Sequence, residues 1–191
     1  MRYLMNPKII LRVKDRAEWR KWLADHFDKA DEIWLLLPKL SSGEKKIPYN
    51  DSVEEALCFG WIDSTGKRLD EFHTVQRFSP RRKGSPYSQS NIERLRYLSE
   101  HHLLHPAVEA SVKGLLKKDF IFPPDIIEEL KKDPVVWKNF KAFSDTYKRI
   151  RIAYIDHARD RREEFEKRLS NFIEKTRRKK MFGFGGIEKY Y

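Results

Sequence analysis

The apolar residues of this chain change rhythm once, near Pro86, and the change sets what each half can become. Before it, short apolar runs stand between turn residues: Lys8-Ile-Ile-Leu-Arg-Val13, Glu32-Ile-Trp-Leu-Leu-Leu37, Trp61-Ile-Asp63 and Phe72 to Phe78. Runs of that length, rich in β-branched and aromatic residues, suit strands. After it, apolar residues recur every three or four positions: Ile92, Leu95 and Leu98; Val108, Val112, Leu115 and Leu116; Tyr147, Ile150, Tyr154 and Ile155; Phe165, Leu169, Phe172 and Ile173. That is the spacing of helices that turn one face to a core. The expected fold is α+β, a small, mainly antiparallel sheet packed with helices and followed by a helical C-terminal half. Residues 1–88 would form the sheet-containing part and 89–180 a helical part of the same domain or a closely packed subdomain, with 181–191 as a tail.

Two helices interrupt the strands. Asp15 caps the first, whose inner positions are Ala17, Trp19, Trp22, Leu23 and Phe27. Ser52 with Glu55 three residues on reads as a capping box opening a helix from Val53 to Phe59, and Gly60 falls where the helix end wants positive φ. Ser88 or Ser90 opens the next helix, with Glu93 placed to close a box on Ser90. Pro106, Pro123-Pro124 and Asp133-Pro134 start further helices. Past Arg177-Arg-Lys-Lys180 the Gly- and aromatic-rich end has no periodicity, so it is mobile or docked on something.

With 191 residues the chain can bury a core. Its 40 Lys and Arg against 29 Asp and Glu leave a net charge of +11, which attracts nucleic acid, acidic lipid or phosphate-bearing ligands. A merely basic surface accounts for the same excess. Cys58 is the only cysteine, which excludes an intrachain disulfide and a cysteine-based zinc site. The first residues lack the apolar core of a signal peptide, and no stretch has the length of a membrane span. The expected location is cytoplasmic.

The loop from Gln76 to Ser88 is the leading candidate site. Arg77, Arg81 and Arg82 offer planar donor forks, Ser85 and Ser88 add hydroxyls at a helix start, and Trp61 and Tyr87 could wall a ligand, with Asp63 nearby in sequence. The competing reading has Arg81 and Arg82 pairing with Asp63, Asp70 or Glu71 to pin the hairpin to the next helix. Cys58 as a nucleophile needs a base such as His73, but its place near a helix C-terminus disfavours a thiolate. His101, His102 and His105 have metal-like spacing without a complete ligand motif; whether they bind metal stays open. The basic run Arg159, Arg161, Arg162, Lys167, Arg168 and Arg177 to Lys180 could track a phosphate backbone, but Glu163, Glu164, Glu166 and Glu174 are interleaved with it. No motif asks for a cofactor, and no metal site is assigned.

Glu54-Glu-Ala-Leu-Cys-Phe-Gly-Trp-Ile-Asp63, Gln76-Arg-Phe-Ser-Pro-Arg-Arg82 with Gly84-Ser85, Ser88 and Asn91, and the closing Tyr154-Ile-Asp-His-Ala158 with Arg159 to Arg162 give the chain a family likeness. It resembles the YdeI/OmpD-associated, or bacteriocin-protection, family from about residue 9 to about 175. The resemblance implies a role in tolerance of antimicrobial peptides or other envelope stress, and the family name suggests porin association. It implies no reaction. Tyr87 departs from the tryptophan usual in the motif while keeping an aromatic surface. The resulting expectation is a protein without demonstrated catalysis that binds an anionic small ligand or an acidic protein surface at the arginine loop. The alternatives are nucleic-acid binding through the basic C-terminal helix and an enzyme using Cys58.

Overall fold

A computed structural model describes residues 10–183 and 187–191. The chain falls into two compact units. One comprises the described residues up to Pro86 together with Tyr97–Lys113, and the other comprises Tyr87–Arg96 and the described residues from Gly114 onward. The fold is α+β.

The first unit holds the sheet. Its strands β1 (Ile10–Leu11), β2 (Ile33–Pro38), β3 (Trp61–Arg68) and β4 (His73–Pro80) lie in the order β1-β2-β4-β3. β2 and β3 both pair antiparallel with β4, while β1 runs parallel to β2. The expected first strand shortens to two residues, and its positions 8 and 9 lie outside the described residues. β3 instead outruns its expected end at Asp63. An irregularity between Asp63 and Gly66 lets it continue to Arg68, and Asp70 accepts from the backbone amides of Phe72 and His73 at 2.8 Å to close the turn.

Helix α1 (Arg16–His26) starts as its sequence indicates, with Asp15 accepting from the Glu18 amide at 3.0 Å. Its inner face buries Trp19 and Leu23 completely. Helix α2 (Tyr49–Cys58) begins three residues before Ser52, so the expected capping box is corrected. Ser52 is an interior residue whose hydroxyl donates back to the Tyr49 carbonyl at 2.6 Å. Glu55 is freed to face α1. Gly60, at φ +73°, ends the helix and brings its backbone to Val108, whose Cγ2 lies 3.4 Å from where a Cβ would stand.

Helix α3 (Gln89–Glu100) gives its first part to the second unit, where α4 (Pro106–Leu116) also ends. There α5 (Pro124–Lys131), α6 (Pro134–Ala142), α7 (Asp145–Asp156) and α8 (Arg162–Arg177) follow. Ser88, not Ser90, caps α3, accepting from the Asn91 amide at 3.3 Å. Asp133 caps α6 and Ser144 caps α7. Ile126, Leu130, Val136, Phe140, Tyr147, Ile152, Ile155 and Phe172 form this unit's core. The basic run 177–180 terminates α8 in a Schellman turn: the Lys179 amide donates to Thr176 and the Lys180 amide to Lys175, both at 2.9 Å. Lys179 occupies the left-handed position at φ +52°, where glycine is usual.

Candidate functional site

The arginines of the first unit already hold partners. Arg77, on β4, grips Glu32 with Nε at 2.9 Å and Nη2 at 2.6 Å, and Nη1 reaches the Ser64 hydroxyl. Arg81 donates to the backbone carbonyls of Ser85 and Pro86, clamping its own loop. Arg82 is exposed, as is Ser85. Trp61 is a correction: only 1% exposed, it donates its indole N–H to the Phe27 carbonyl at 3.0 Å and packs edge-on to Trp22, so it is core and not a ligand wall. Asp63 accepts from the Tyr49 hydroxyl rather than from an arginine. In the second unit, Tyr87 is half-buried and Ser88 caps its helix.

The other sequence candidates have local roles. Cys58 is fully buried, and burial, with Glu55 adding to it, pushes its thiol up to about 11. At neutral pH the thiol stays protonated. His101 bonds the Tyr97 carbonyl at 2.8 Å, while His105 packs on Phe27. Among the described residues no group of three His, Cys, Asp or Glu side chains could hold a metal ion. Arg162 and Arg168 on α8, and Arg178 just past its end, pair with Glu166, Glu164 and Glu174 one turn away, at 2.9, 2.7 and 2.8 Å, and Arg177 pairs with Asp133 at 2.9 Å. Such pairs solvate a helix and weaken its field toward a polyanion.

A different cation stands out in the second unit. The apolar stripe of α7 runs through Tyr147, Ile150, Tyr154 and Ile155, and Arg151 lies inside it. Arg151 is only 6% exposed. Arg149, its neighbour on the helix, meets Glu93 with Nε at 2.7 Å and Nη2 at 2.8 Å. Arg151 has no carboxylate within ion-pair distance among the described residues. Its Nη2 donates to the Tyr191 hydroxyl at 2.7 Å, and its Nε has no partner there. Four rings surround the guanidinium: Phe182 at 5.2 Å, Tyr191 at 5.8 Å, and Tyr147 and Tyr154 at 5.9 Å. Ring faces offset part of the cost of burying a cation.

Arg151 opens on a cleft of about 290 Å³ between α7 and α8. Tyr154, Ile155, Phe172 and Phe182 give it apolar walls, and Lys167 and Asn171 also line it. Its one carboxylate, Glu164, is engaged by Arg168, which also donates to the Tyr154 carbonyl at 2.7 Å and lies 3.8 Å over the Tyr154 ring. That contact holds the Glu164 carboxyl below its usual range. Arg151 therefore faces the cleft with no carboxylate in ion-pair contact among the described residues, while the charge of Lys167 acts on Glu164. A second cleft of about 280 Å³, lined by Ile92, Leu115 and Phe120, differs on this point. Its Arg96 is held by Glu93 at 3.1 Å and the Lys118 carbonyl at 3.0 Å.

Residues 119–179 match the family model Bacteriocin-protection, YdeI or OmpD-Associated, and residues 11–111 match the model Domain of unknown function (DUF8412), which spans over half the chain. The chain belongs to the DUF8412 family, and its residues 119–179 are similar to the YdeI/OmpD-associated model. Neither the curated proteins nor the solved structures gave a match. The motifs at 54–63 and 76–91 that suggested kinship fall inside the DUF8412 segment, so the YdeI/OmpD-associated domain is narrower than the resemblance implied. The Arg151 cleft lies in the YdeI/OmpD-associated domain except for Phe182, three residues beyond it. Sequence reading passed over Arg151, although one signal was present: a lone arginine one turn from Tyr147 and from Ile155 on an otherwise apolar stripe.

Proposed function

We propose that the chain is a binding protein that takes a small organic anion in the cleft between α7 and α8, with Arg151 as charge partner. The single supporting observation is a nearly buried guanidinium that faces a cleft and meets no carboxylate among the described residues. The cleft volume favours a fragment-sized ligand, since small-molecule sites usually span roughly 300–1,000 Å³. Tolerance of antimicrobial peptides or envelope stress, the role attached to the family, would depend on that ligand, and the protein would act in the cytoplasm. The arginine loop is given no ligand, because Arg77 and Arg81 hold partners inside the protein.

Nucleic-acid binding by α8 is less favoured because its Arg162 and Arg168 pair with glutamates of the same helix and its Arg177 with Asp133. The test is titration of benzoate, phenyl phosphate and inorganic phosphate into the full chain, followed by NMR or calorimetry. Arg151→Met should weaken binding at least tenfold, the size of one charge-assisted hydrogen bond. Binding unchanged in that variant refutes the reading. So does duplex DNA binding with a steep salt dependence and no binding of the small anions.

A further inference from the structure

Past α8 the chain does not trail away. The Phe182 amide donates to the Tyr147 hydroxyl at 3.3 Å, the Tyr191 ring stands edge-on to Tyr147 at 4.7 Å, and Ile187 is 3% exposed. These contacts place two tail residues on Arg151 at once, the Phe182 ring over its guanidinium and the Tyr191 hydroxyl on its Nη2. Phe182 is also a wall of the cleft. Gly183 sits so close to Tyr191 that a Cβ there would lie 2.5 Å from the phenol oxygen.

Resting on the anion-binding reading, we infer that the docked tail residues Phe182 and Tyr191 complete the site, so that ligand binding and tail docking drive each other. Tyr191 holds one arm of Arg151, which fixes the direction in which the remaining donors point. Phe182 supplies an apolar surface that inorganic phosphate cannot use. The ligand class that follows is an aromatic or similarly apolar monoanion, such as an aryl carboxylate, its head on Arg151 and its body between Tyr154 and Phe182. Lys167, another lining residue, adds to the positive field. A ligand that binds only the docked state shifts the tail equilibrium toward docking by mass action. Cleavage that requires the tail to come away should slow in proportion.

The experiment pairs binding of benzoate and inorganic phosphate with limited trypsin cleavage in the basic run 177–180 of the full chain. At ten times its dissociation constant, benzoate should slow that cleavage about tenfold, and inorganic phosphate should bind more weakly than benzoate. Gly183→Ala, which crowds Tyr191 without touching the cleft, should speed cleavage and weaken benzoate about tenfold. Tyr191→Phe, which keeps the ring and loses the hydroxyl, should weaken binding while leaving the melting temperature nearly unchanged. If Arg151→Met abolishes binding but Gly183→Ala and Tyr191→Phe bind as the parent does, the tail is a bystander and this inference falls while the site survives. If benzoate binds but does not alter cleavage, the coupling falls as well. If Arg151→Met binds like the parent, the site itself is wrong.

Discussion

Two glutamates that read as capping-box residues are instead buried acceptors for arginine. Glu55, 2% exposed, receives Arg16 and also Arg20 at 2.7 Å, and neighbouring Glu54 takes Arg16 at 2.9 Å. Glu55→Ala should therefore cost about 3 kcal/mol in urea unfolding, because it takes a buried acceptor from two half-buried cations and leaves Arg20 with the Leu103 carbonyl alone. Arg77→Ala, which breaks a half-exposed pair, should cost under about 1 kcal/mol. Glu93 adds a pH dependence. Burial pushes its carboxyl up, but Arg149, Gln89 and Arg96 together outweigh that and hold it below 4.5. A carboxyl lowered by folding stabilises the protein above its unfolded value, and that stability is lost as pH falls through the lower folded value. Glu93→Gln should flatten the acid limb of a plot of melting temperature against pH, with the largest deficit at neutral pH. These roles escaped the sequence because Ser-x-x-Glu spacing describes a cap and a helix interior equally well. What decides is where Tyr49 and Gln89 start their helices.

Apolar rhythm made most elements legible. Trp19 and Leu23, Val108 and Val112, and Phe172 all lie where periodicity puts them. Strand lengths were less legible, since β3 continues through exposed Ser64 and Thr65, which carry no apolar alternation. Pairing of Asp63 and Gly66 with β4 on either side carries the strand across them, and no side-chain pattern records that. The candidate site was the least legible. A basic loop advertises itself in sequence, but the acids that engage it, such as Glu32 for Arg77, lie far along the chain. Arg151, hidden in an apolar stripe, looks like a patterning fault. The end of α8 gives this scale its own prediction. Lys179→Gly relieves a left-handed lysine and should stabilise the protein by about 1 kcal/mol, visible as a raised melting temperature.

For the whole molecule, the two units are built from interleaved stretches of chain. The first needs Tyr97–Lys113, whose Leu103 carbonyl accepts from Arg20 at 2.8 Å and whose His105 amide donates to the Cys58 carbonyl at 2.9 Å. A fragment ending at Pro86 should fail to show a cooperative melt, whereas one ending at Lys113 should come closer to folding; circular dichroism on both checks this. The DUF8412 match, closing at residue 111, stops almost where that return passage does. Shuffling by simple end-to-end joining has no clean seam here. A crossover anywhere from 87 to 113 would split one unit or the other, so neither can be lifted out of this chain as a single continuous piece.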